Sequence, residues 1–80
     1  MMKTDEIKEE IKKFLSKYIK KTDLEDDMEL FTSRLINSLF AMQLVLYLEK
    51  QYKIKVENED LDIKNFNTIN LITAFVERKI

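Results

Sequence analysis

The candidate chemistry of this chain lies in three adjacent residues, Asn37-Ser38-Leu39, a hydroxyl beside a side-chain amide at the head of the most apolar stretch. A serine hydroxyl becomes a nucleophile when a neighbouring base takes its proton. The 80 residues include no His and no Cys, so neither a Ser-His-Asp arrangement nor a reactive thiolate can be built within the chain. The same absences remove the commonest metal ligands, and the absence of Gly excludes a glycine-rich phosphate cradle. Ser38 thus lacks the commonest partners that would activate it, and no autonomous enzyme is expected.

The element that must position Ser38 is a helix starting at it. Asn and Ser both cap helix N-termini, because their side-chain oxygens accept hydrogen bonds from first-turn amides that have no partner within the helix. Ala41, Leu44, Val45, Leu48 and Tyr52 then fall on one face, as a core-facing helix over residues 38–53 requires. Leu39, Met42 and Leu46 form a second apolar stripe on the opposite face, interleaved with Gln43, Glu49 and Lys50. Such a stripe is either a docking surface or the second packed side of a central helix, and periodicity alone leaves both open.

The remaining segments supply the support. Ile7, Ile11, Phe14, Leu15, Tyr18 and Ile19 make one face of a first helix over residues 5–20, with Thr4 as its cap and Asp5 and Glu6 at the positive end of its dipole. Lys13, Lys17, Lys20 and Lys21 suit the negative end. Residues 21–36 lose the helical period and form a long loop whose apolar members Leu24, Met28, Leu30, Phe31, Leu35 and Ile36 must be pinned to the core. Ile54-Lys55-Val56 is an extended connector with Ile54 and Val56 turned inward, and residues 58–63 form a short third helix with Phe66 as an anchor after it. Thr68 caps a last helix with Ile69, Leu71, Ile72, Phe75 and Val76 as its buried face. The expected fold is all-α, a four-helix up-down bundle with three long helices, one short third helix and a long loop between the first and second.

Composition agrees with one domain over residues 1–80 and a single modest core: 45% of residues are hydrophobic and 36% charged. Fourteen basic against 15 acidic residues give a net charge of −1, with no basic cluster that would imply nucleic acid as a partner. The start of the chain lacks the apolar run of a signal peptide, and the longest apolar run, residues 44–48, is far short of the ~20 residues that span a membrane. A soluble cytoplasmic monomer is expected.

Asn37-Ser38-Leu39, followed by an amphipathic helix containing Glu49, resembles the acyl carrier protein family, whose Asp-Ser-Leu motif bears 4′-phosphopantetheine on the serine. The likeness extends from about Thr4 to Lys79. It implies that Ser38 is the attachment point, with Asn37 as the helix cap beside it, and that an acyl or aminoacyl group is held as a thioester on the cofactor arm. It further implies docking of partner proteins on Leu39, Met42, Gln43, Leu46, Glu49 and Lys50. Those partners would be a phosphopantetheinyl transferase, an acyl-loading ligase or transferase, and an acyl-accepting synthase. In the family the short third helix lines the cavity that shelters the acyl chain. Residues 37–45, 57–61 and 65–66 look most like discrete carriers of glyceryl- or malonyl-type polyketide extender units, while D-alanyl and free-standing peptidyl carriers share much of the outline.

The chain also departs from the family pattern. Asn37 replaces the usual Asp, keeping the capping oxygen and losing the charge. Gln43 and Lys50 stand where acids are frequent, so steering toward strongly basic partners should be weak. Ser33-Arg34-Leu35-Ile36 occupies a place where the family often has Gly. The alternative function is a small helical interaction module without cofactor, binding a partner helix, or a second copy, through Leu39, Met42 and Leu46.

Overall fold

In the computed structural model, which describes residues 3–19 and 24–80, α1 spans Thr4–Ser16, α2 Ser38–Tyr52, α3 Ile63–Phe66 and α4 Ile69–Lys79. A 3-10 turn, Asn58–Asp60, precedes α3. The described residues contain no strand, and the all-helical four-helix architecture is the expected one. Its up-down order shows at the helix ends. The Thr4 hydroxyl at the start of α1 donates to Glu77 near the end of α4. Just beyond the end of α1, the Tyr18 ring centroid lies 4.7 Å from that of Phe40 at the start of α2. α1 therefore runs antiparallel to both.

The core lies where these helices meet. Ile7, Ile11 and Leu15 of α1, Leu44 and Leu48 of α2, and Ile69, Ile72 and Val76 of α4 are fully buried. Each such side chain contributes about 1.5–3 kcal/mol relative to exposure. An aromatic cluster continues the α1–α2 seam, with Phe14 stacked on Tyr47 at 4.1 Å between centroids. The Tyr52 hydroxyl donates to Glu10 Oε1 at 2.7 Å, and burial together with this hydrogen bond pushes the Tyr52 phenol well above its ordinary pKa. Ile54 and Val56 of the connector pack against the core as expected. None of the described helices is long and apolar enough to cross a membrane.

Several boundaries differ from the sequence expectation. α1 ends at Ser16 and passes into a turn through Ile19, so it is shorter than residues 5–20. Lys20 and Lys21 of the lysine cluster, and Thr22 and Asp23 of the loop, lie outside the described residues. Thr4 is the first helical residue and not the cap: Lys3 holds that position without a side-chain bond, and the Thr4 hydroxyl is used across the bundle on Glu77. The single short helix expected at 58–63 divides in two. Glu57 and Asp60 close the 3-10 turn reciprocally, and the Asp62 carboxylate then accepts from the Lys64 amide at 2.9 Å and starts α3 afresh. Phe66 is buried as the expected anchor, but as the last residue of α3 and not after the short helix. On α4, Leu71 is 39% exposed, whereas Thr73 is buried, its hydroxyl donating to the Ile69 carbonyl at 2.8 Å.

Candidate functional site

Asn37 is in the extended region, and its side chain folds back so that Oδ1 accepts from the Phe40 amide at 3.0 Å. Its own carbonyl accepts from the Ala41 amide at 2.9 Å, the first bond of the helix. Ser38 is thus the first residue of α2, and it is exposed. The chain has three serines. Ser16 Oγ donates to the Lys13 carbonyl and Ser33 Oγ to the Glu29 carbonyl, whereas the Ser38 hydroxyl bonds to none of the described residues. The Ser38 and Leu39 amides, at the positive end of a 15-residue helix, have no acceptor within it, so an anion on Ser38 is favoured there.

The loop that delivers Ser38 is fixed at several points. The Leu30 amide donates to the Asn67 carbonyl at 2.7 Å, and Asn67 Oδ1 accepts from the Phe31 and Thr32 amides at 3.0 and 3.3 Å. The Ile36 amide donates to the Leu30 carbonyl at 3.1 Å, and both side chains are buried. Further back, the Asp26 carbonyl accepts from the Asn70 amide at 2.9 Å. The Asp26 carboxylate meets Lys12 at 2.8 Å and Lys8 at 3.3 Å. The hydrogen bond from Lys12, and after it the one from Lys8, hold the Asp26 carboxyl below its ordinary pKa. Asn67, at the α3–α4 junction, and Asp26 thereby tie the loop to two parts of the bundle. Arg34 sits within this loop at φ 64°, the left-handed region that Gly adopts without cost and other residues enter at about 1 kcal/mol or more.

Between α2, the loop and α3 lies a groove of about 320 Å³ with Ser38 on its edge. Phe31, Met42, Val45, Ile63 and Phe66 make its walls mainly apolar, and Asp62 also lines it. On the outer side of α2, Leu39, Met42 and Leu46 are 73%, 53% and 62% exposed, so the second stripe is a surface and not a second core face. Gln43 and Lys50 are exposed beside it. Glu49 is half-buried, and one of its carboxylate oxygens accepts from the Val56 amide at 3.0 Å. The structure therefore brings Asn37, Ser38, Leu39 and Met42 together at one end of α2, with Leu46 and Lys50 further along it. Sequence reasoning passed over three contributors: Phe40, buried directly under the cap, Asn67 as the loop clamp, and Asp62 as a groove residue. The strong capping preference of Asp before an apolar residue was the signal available for Asp62.

No protein-family profile matches the chain. It is 34% identical over 56 residues, 70% of its length, to the acyl carrier protein AsbD of Bacillus anthracis, of which it covers 62%. It is also 34% identical over 53 residues to the D-alanyl carrier proteins of Lactococcus lactis subspecies cremoris and lactis, covering 66% of the chain and 67% of each relative. The chain belongs to the acyl carrier protein family. Membership of the acyl carrier protein family makes it a carrier protein. The membership favours carrying over the cofactor-free interaction module. The chain spans about two thirds of the length of these relatives.

Proposed function

We propose that this protein carries an acyl or aminoacyl group on 4′-phosphopantetheine joined to Ser38, and presents it to partner enzymes of a specialised biosynthetic pathway in the cytoplasm. The observation that carries this reading is the Ser38 hydroxyl itself: exposed, unbonded and first in a capped helix, where the other two serines are bonded to carbonyls. The residues present fit the group. Ser38 Oγ supplies the oxygen of a phosphodiester, and the first-turn amides of α2 favour the phosphate's negative charge. Asn37 keeps the helix end in place without adding a competing carboxylate. When bound, the group supplies a flexible arm ending in a thiol that holds the cargo as a thioester.

The chain's own part is to bind, orient and be recognised. Because the chain has no His, and no described side chain bonds to the Ser38 hydroxyl to take its proton, a phosphopantetheinyl transferase must provide the base, along with any metal. A loading ligase or transferase and an accepting synthase complete the partner set. Leu39, Met42 and Leu46, with Gln43, Glu49 and Lys50 around them, form the surface those partners share. The names of the relatives, acyl carrier and D-alanyl carrier, leave both acyl and aminoacyl cargo in view.

Incubation with coenzyme A and a permissive transferase, followed by intact mass measurement, tests the reading. The wild type gains one phosphopantetheine and Ser38→Ala gains none. Met42→Glu keeps the fold and loses docking. An unchanged wild-type mass across several transferases would overturn the proposal.

A further inference from the structure

The groove beside Ser38 has one charged lining residue, Asp62, and no Lys or Arg among its lining residues. Two other aspartates elsewhere in the bundle are paired with lysines. Asp60 meets Lys79 at 2.7 Å and accepts from the Glu57 amide, and Asp26 is held by Lys8 and Lys12. Asp62 forms no ion pair among the described residues, and its side chain accepts only from the Lys64 amide at 2.9 Å. From this charge pattern we infer that the groove selects cargo by charge, taking an ammonium-bearing aminoacyl group and turning away a carboxylate-bearing acyl group. The inference rests on Ser38 as the attachment point and deepens that reading by choosing among its cargo classes.

The physical argument compares three cargoes of similar bulk. An alanyl group puts its methyl against apolar walls and its ammonium within the field of an unpaired carboxylate. A propionyl group keeps the apolar contact and loses the charge interaction. A malonyl group brings a second carboxylate to a groove that has one already and no cation to offset it, so it must shed water without gaining a partner. An exposed pair of this kind changes occupancy by about two- to fivefold, enough to order the three cargoes.

The test loads the full chain from alanyl-, propionyl- and malonyl-coenzyme A with a permissive transferase, at about pH 6.5 so that the cargo amine stays protonated. Intact mass verifies loading. Amide and methyl NMR shifts of Met42, Val45, Leu61, Asp62 and Ile63 are then read against the protein loaded from plain coenzyme A. Alanyl shifts should exceed propionyl shifts about two- to fivefold, and malonyl should give the smallest. Asp62→Asn retains a capping oxygen for α3, and Asp62→Ser offers a second uncharged cap. In both, the alanyl shifts should fall to the propionyl level and the malonyl shifts should rise to it. Equal alanyl and propionyl shifts in the wild type, or malonyl shifts as large as either, would overturn the inference while the mass gain upheld carrying. No mass gain from any of the three would remove carrying itself and this inference with it.

Discussion

The helix cap at Asn37 sets where α2 begins and hence where Ser38 is presented, so a substitution series there tests the geometry of the site. Asn37→Ala removes the oxygen that accepts from the Phe40 amide at 3.0 Å and leaves that amide unpaired beside those of Ser38 and Leu39. The expected loss is about 1 kcal/mol, within a range of about 0.5–2. For a domain of this size that lowers the melting temperature by roughly 4–8 °C. Asn37→Asp keeps the acceptor and adds a negative charge to a helix end that has no acidic residue in its first turn. That substitution should stabilise the unmodified protein by about 0.3–1 kcal/mol, an effect that about 1 M salt removes. Once Ser38 bears a phosphodiester, the added carboxylate faces like charge and the gain should shrink. Urea unfolding followed by helical circular dichroism, with the denaturant slope unchanged among variants, reads all three values. An Ala variant as stable as the wild type, or an Asp variant no better than Ala, would refute the cap and the placement of Ser38 that depends on it.

Other substitutions separate core from surface and loop from helix. Leu44→Ala, at a position with no exposure, should cost about 2–5 kcal/mol in urea unfolding, whereas Leu46→Ala, 62% exposed, should leave stability within about 0.5 kcal/mol. Arg34→Gly removes a side chain from a left-handed position at φ 64°. Relief of roughly 1–2 kcal/mol, less the entropy Gly adds to the unfolded chain, should leave a net gain of up to about 1 kcal/mol in thermal melts. The Asp26 carboxyl, bonded to Lys12 and Lys8, is held below its unfolded pKa of about 3.9. Its contribution is therefore present above that value and is lost as pH falls through the lower folded value. For a group still partly open to solvent it is worth less than about 1 kcal/mol. Unfolding free energies of wild type and Asp26→Asn should accordingly differ at neutral pH and converge in acid.

Helix type and number were legible in the sequence because long apolar stripes at helical spacing can be buried in few ways, and α1, α2 and α4 each carry one. The outward stripe of α2 could be seen but not interpreted, since whether Leu39, Met42 and Leu46 meet a neighbour depends on tertiary packing. Phe40 stands at the edge of the core-facing stripe, four and eight residues before Leu44 and Leu48, and is buried with the Phe14 and Tyr18 rings against it. Helix ends were the least legible part. With no Gly or Pro to mark a stop, the apolar rhythm of α1 runs on through Tyr18 and Ile19 although the helix ends at Ser16. The division between the 3-10 turn and α3 depended on which of Asp60 and Asp62 capped which turn. Asn67 looked like ordinary turn chemistry, and its use as a clamp on Leu30, Phe31 and Thr32 is a contact across 35–37 positions that no local pattern encodes.

Cleavage after Arg34 and Lys50 yields a peptide, residues 35–50, in which Ser38 is the only Ser or Thr. Fragment-ion mass measurement of that peptide from protein isolated from its own cells tests the central claim most directly. The account predicts phosphopantetheine on Ser38 in the native protein. Native protein bearing no such group, or bearing it on the peptides that contain Ser16 or Ser33, would contradict it.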